Sequence, residues 1–99
     1  MSAPPDDLGP PASYLTLEEG ASVLSSDGEH VGRVDEVVAD TQADVFDGIV
    51  IGQGPLGLDR RFVVAEHVDR IHAQGVVLSI TATAVAALPE PRGHAPGER

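Results

Sequence analysis

Short runs of β-branched residues, each cut off by glycine or an Asp-Gly pair, decide what this chain can fold into. Asp44 to Gly52 reads DVFDGIVIG, combines aromatic and β-branched residues, and ends in the glycine-rich stretch Gly52-Gln53-Gly54-Pro55. That pattern predicts a strand and a turn. Leu56 to Ala65 alternates, which puts Leu58, Arg60, Phe62 and Val64 on one face and makes a hairpin with the preceding strand. A one-residue slip would place Arg61 and Val63 inside instead.

Tyr14–Leu17 and Ser22–Ser25 read as short strands, separated by Glu18-Glu19-Gly20, and Ser26-Asp27-Gly28-Glu29 as a tight turn, because glycine accepts positive φ. His30 to Asp40 is two-sided. Val31, Val34, Val37 and Val38 match a helical face, yet valine is a weak helix former and Gly32 would cost about 1 kcal/mol relative to alanine. A strand with a bulge near Gly32 is preferred. Val68–His72 and Gly75–Ile80 are two further strands. Thr81 to Leu88 is a short helix, capped by Thr81 and stopped by Pro89. Six or seven strands at this spacing predict a mainly β domain, a closed or nearly closed small β-barrel, with a short C-terminal helix. Its expected core is Val31, Val34, Phe46, Leu58, Phe62, Val64, Ile71, Leu78 and Ile80.

Proline and glycine crowd both ends and leave no apolar stripe there, so residues 1–13 and 89–99 are expected to be disordered tails. The 75 residues of 14–88 form one domain, which buries only about 60% of its unfolded surface. With no cysteine, neither a disulfide nor a thiolate metal site can support it. Dimerisation is one remaining route to burial, and the valine-rich strands carry apolar residues on both faces: Val37 beside Val38, Val50 between Ile49 and Ile51, Val77 between Val76 and Leu78.

Charge narrows the partners. Sixteen acids face six bases, all arginine, and within 14–88 twelve acids face four arginines, a net charge of −8. Nucleic-acid affinity rests on basic side chains, and anionic membrane surfaces attract them, so both partners are disfavoured. The apolar runs fall far short of the roughly 20 residues needed to cross a bilayer, so no direct membrane insertion is expected. No basic-then-apolar leader pattern is present, and the expected location is the cytoplasm. The absence of lysine, with abundant Ala, Gly, Val and Arg, points to a GC-rich bacterial source.

The order of segments YLTLEEGASVLSSDGEHVGRVDEVVAD, DVFDGIVIG, RRFVVAEHVDRI and VVLSITATAVAALP resembles the PRC-barrel family. Asp27-Gly28-x-x-Val31-Gly32-x-Val34, and Val63 to Val68 followed by Ile71, are the most telling pieces. Position 64 is valine where proline is often expected. The resemblance implies a six-stranded barrel that serves as an interaction or assembly module, often dimeric, with no catalytic residue to carry over.

Chemical motifs are sparse. Gly52-x-Gly54-x-x-Gly57 matches a dinucleotide fingerprint, but a strand-like LDRRFVV follows where a helix is required. Asp40, Gln42, Asp44 and Asp47 lack the glycine and the final carboxylate of a calcium loop. His67 and His72 lack metal-site spacing, and neither Ser25, Ser26 nor Ser79 sits in a nucleophile elbow. Arg60 and Arg61 point to opposite faces, and ion pairing with Asp59 or Asp47 competes with a role in anchoring an acidic partner. The expected function is a non-catalytic, self-associating protein-interaction module without a cofactor. The alternative is a small-ligand or metal-binding barrel that uses surface carboxylates and histidines.

Overall fold

The computed structural model describes residues 8–54 and 59–91. Six strands form one mixed sheet: β1 (Ser22–Leu24), β2 (His30–Asp40), β3 (Val45–Gln53), β4 (Asp59–Val64), β5 (Val68–His72) and β6 (Gly75–Leu78), followed by a single short helix, α1 (Ala82–Ala86). The spatial order is β4-β3-β2-β1-β6-β5, with β1 and β6 parallel and every other pair antiparallel. The ladder does not pair β4 with β5, so the mainly β sheet is present without the closure expected of a barrel.

Flanking chain occupies both edges. Along β5 and the turn after it, Ala12 N donates to Ile71 O at 2.9 Å, Ala73 N to Pro10 O at 2.9 Å and Gln74 N to Leu8 O at 2.8 Å. At β4, Phe62 N donates to Pro89 O at 3.0 Å. Ile71 O on β5 and Phe62 N on β4 therefore already have partners in the flanking chain. Residues 8–13 and 89 thus have ordered contacts where tails were expected; residues 1–7 and 92–99 lie outside the described residues, as does the predicted core residue Leu58.

Local chemistry explains the elements. His30–Asp40 is the strand β2, and its register with β1 shifts between Val23 and Leu24, beside Gly32. Tyr14–Leu17 is not a strand. Tyr14–Thr16 makes a 3-10 turn, because the Ser13 hydroxyl accepts from Leu15 N at 3.1 Å and the Ser13 carbonyl accepts from Thr16 N at 3.1 Å. Thr81 caps α1, its hydroxyl accepting from Ala84 N at 3.2 Å. The cap aims Val85 into the core, where it is fully buried.

The core is Leu17, Val23, Val31, Val34, Ile49, Ile51, Val63, Val76, Leu78 and Val85. Phe46, Ile71 and Ile80 pack against it half-buried. Phe62 and Val64 do not belong to it, a correction to the expected phase of β4. The ladder pairs Ile49 with Val63 and Ile51 with Arg61, so those residues share the inward face. Val63 is 0% exposed and Val64 36%.

Candidate interaction surface

The outward face of β2, β3 and β4 follows from the same register. Val38 and Val64 flank Gly48, and Glu36 and Phe62 flank Val50. Gly48 has φ +152°, and a Cβ there would run into the Val63 carbonyl oxygen and come within 3.1 Å of Phe62 Cζ. The missing side chain lets the Phe62 ring lie across the strand. Val50 is buried without joining the core cluster, so it is covered from the outward side. Val64 and Val45 are exposed, the latter at 46%.

Charges rim this apolar row. Arg60 lies on the outward face and pairs with Asp35 at 2.7 Å, with Glu36 at 3.9 Å. Arg61 turns the other way, donating from Nη1 to Leu88 O at 2.8 Å and pairing with Asp59 at 3.3 Å. The two arginines thus occupy opposite faces; the partner of Arg60 is Asp35, two strands away, and Asp47 pairs with neither.

A groove of about 680 Å³ lies beside this face, bounded by Glu19-Gly20, His30 to Asp35, and Gly52-Gln53-Gly54. Two of its polar side chains, Arg33 and Gln53, are tied to the protein's own backbone. Arg33 Nη1 donates to Gly20 O at 3.0 Å and Gln53 Nε2 to Val31 O at 2.7 Å. β3 ends at Gln53, just past Gly52, and the next element among the described residues is the strand β4 rather than a helix. The acids that resembled a calcium loop build a turn: Asp40 Oδ1 accepts from Gln42 N at 3.1 Å and Ala43 N at 3.2 Å. Among the described residues no three His, Asp or Glu side chains are grouped to hold a metal ion. No helix among them is long and apolar enough to cross a membrane.

Two titratable groups serve the fold. Ser25 is buried and its hydroxyl donates to Asp27, while Ala82 N donates to the same carboxylate at 3.4 Å. The Ser25 hydrogen bond holds the Asp27 carboxyl below its usual range, and Glu29 N donates to the Ser25 hydroxyl at 3.1 Å, which pins the turn. Tyr14 stacks on Phe46 with ring centroids 5.1 Å apart, and its hydroxyl donates to Asp44 at 2.6 Å. That bond raises the Tyr14 pKa, helped by the nearby negative charge of Asp44 and Asp40. Tyr14 is the only tyrosine and there is no tryptophan. A phenolate absorbance titration should therefore show one transition above the ordinary value of about 10, moved down by Asp44→Asn. A transition that Asp44→Asn leaves in place would mean the bond is absent in solution.

The PRC-barrel domain profile matches residues 13–85. The chain belongs to the PRC-barrel family. In this PRC-barrel domain the match begins at Ser13, which caps the first turn, and ends at Val85, which plugs the core. Leu8 to Ala12 and Pro89, which cover the two sheet edges, lie outside the matched span. A comparison with curated proteins finds no match. The edge contact at Leu8 had one sequence signal: Leu8 is the lone leucine in the Pro/Gly-rich leader, and it is buried at 6% exposure.

Proposed function

We propose that this PRC-barrel domain is a non-catalytic interaction module that associates with itself through the outward face of β2, β3 and β4. The observation that carries the reading is the apolar row Val38–Gly48–Val64, with Val45 exposed at the same end of β3. A sheet whose second face keeps exposed valines around a half-buried phenylalanine exposes apolar area that a second layer would remove from water. Both edges already carry flanking chain, so a face-to-face contact is favoured over sheet extension. A two-fold contact brings identical patches together. The rim of Arg60 with Asp35 and Glu36 carries both signs, which lets each copy pair with the other. Acidity supports a protein partner over nucleic acid.

The small-ligand alternative has less support, since Arg33 and Gln53 in the groove already bond to the protein's own backbone. Val64→Lys should weaken self-association by about tenfold or more, since burying a valine is worth roughly 1.5–3 kcal/mol. Far-UV circular dichroism should stay unchanged. Unaltered association in a folded Val64→Lys protein would place the contact elsewhere.

A further inference from the structure

The edge of β5 and the turn after it form a built seat for a chain segment, and Leu8 to Ala12 fills it. Leu8 lies against Gly75, where a Cβ would come within 2.6 Å of Leu8 Cδ2 and 2.8 Å of Ser22 O. Gly75 therefore serves as a notch for an aliphatic side chain. Buried His72 hydrogen-bonds through Nδ1 to Gly9 O at 2.9 Å. A carbonyl only accepts, so Nδ1 carries the proton and donates. Pro11 bridges His72 in antiparallel fashion, and three backbone bonds flank it on both sides. Pro10 and Pro11 have no N–H to offer outward, so the strap ends the sheet instead of extending it.

The strap is separable from the rest of the molecule. It runs into the turn Tyr14–Thr16, which contains no buried residue, and two consecutive prolines restrict its backbone. We infer that this strap is exchanged: Leu8 to Ala12 of one chain occupies the β5 seat of a second copy, and the reverse. Contacts within the seat are the same in one chain or between two, so exchange costs the entropy of association and a change at the hinge near Ser13. Apolar burial between the outward faces offsets that cost. Reciprocal exchange closes at two copies, because each chain has one strap and one seat. The inference rests on the reading that the chain self-associates, and names the element that would link the copies.

Cysteine pairing tests it, because the native chain has no cysteine. A Cβ at Gly9 would lie 3.4 Å from Ala73 Cβ, close to the spacing of about 3.8 Å found in disulfides. Full-length Gly9→Cys and full-length Ala73→Cys are mixed, allowed to equilibrate and oxidised, and the bonds are mapped by mass spectrometry. Exchange predicts a bond joining position 9 of one chain to position 73 of the other, in a yield that rises with protein concentration. The doubly substituted chain is the control for the seat. If it closes a 9–73 bond within one chain while the mixture forms none, exchange is overturned. If the mixture sediments as a dimer and still forms no 9–73 bond, self-association survives and exchange does not. A folded double variant that closes no bond at all overturns the seat itself. Gly9 has φ +87°, so Gly9→Cys carries strain; Pro10→Cys, opposite Ala73 in the ladder that pairs Pro11 with His72, gives the same comparison if that variant fails to fold.

Discussion

Val63→Asp should prevent folding, and Val64→Asp should not. The two positions are adjacent, have the same side chain and belong to the same strand. Val63 faces Ile49 across the ladder and is fully buried. The core residues around it are apolar, and Arg61 on the same face is already engaged with Leu88 O and Asp59; an uncompensated buried charge costs about 3–5 kcal/mol. That is a large part of the roughly 5 kcal/mol at the low end of domain stability. Val64 points outward and is already wet. Chemical denaturation monitored by circular dichroism compares the two. Equal losses would mean that β4 is not paired in this register.

Gly48→Ala should be the most damaging single methyl addition on the outward face. Its φ of +152° is a conformation that L-residues rarely adopt, worth about 1–3 kcal/mol of strain. The added Cβ would also overlap the Val63 carbonyl oxygen, approach Val64 Cα to 3.0 Å, and push against Phe62. The first two neighbours are backbone, which cannot rotate away. The expected result is a melting temperature lowered by ten degrees or so, given the 4–8 °C per kcal/mol typical of small domains. Gly20→Ala is the matched control: its φ is also positive, but nothing lies within 4 Å of an added Cβ. If both substitutions cost the same, the close approach at Gly48 contributes nothing.

Period-two alternation made the strands legible, and turn chemistry made their ends legible. Asp27-Gly28 turns as its residues require, with Gly28 N donating to Ser25 O at 3.0 Å, and Thr81 caps the helix it was expected to cap. The phase of β4 was not legible. Phe62, Val63 and Val64 are consecutive and apolar, so either alternation fits, and long-range pairing with Ile49 decides between them. Irregularities in β2 and β3 conceal the same information. Their register shifts between Val34 and Glu36 and again between Val38 and Ala39, which returns Phe46 to the core side while Phe62 stays outside.

Closure was illegible for a different reason. Six short strands with turns between them fit an open sheet and a barrel equally. Edge occupancy is settled by Leu8 to Ala12 and Pro89, in segments that have no periodicity to read. The arginine pair was partly legible: opposite faces follow from adjacency, whereas the bond between Arg60 and Asp35 depends on the neighbouring strands.

Self-association of this PRC-barrel domain sets net charge against apolar burial. Net charge opposes association at long range, but at about 150 mM salt the screening length is roughly 8 Å, so apolar contact governs the outcome. Sedimentation velocity at micromolar concentration in that salt measures the mass directly. The expected result is a species of twice the 10.2 kDa chain mass, reduced toward the single chain by Val64→Lys. A single species at 10.2 kDa for the parent protein would contradict it and leave the outward face to a different protein.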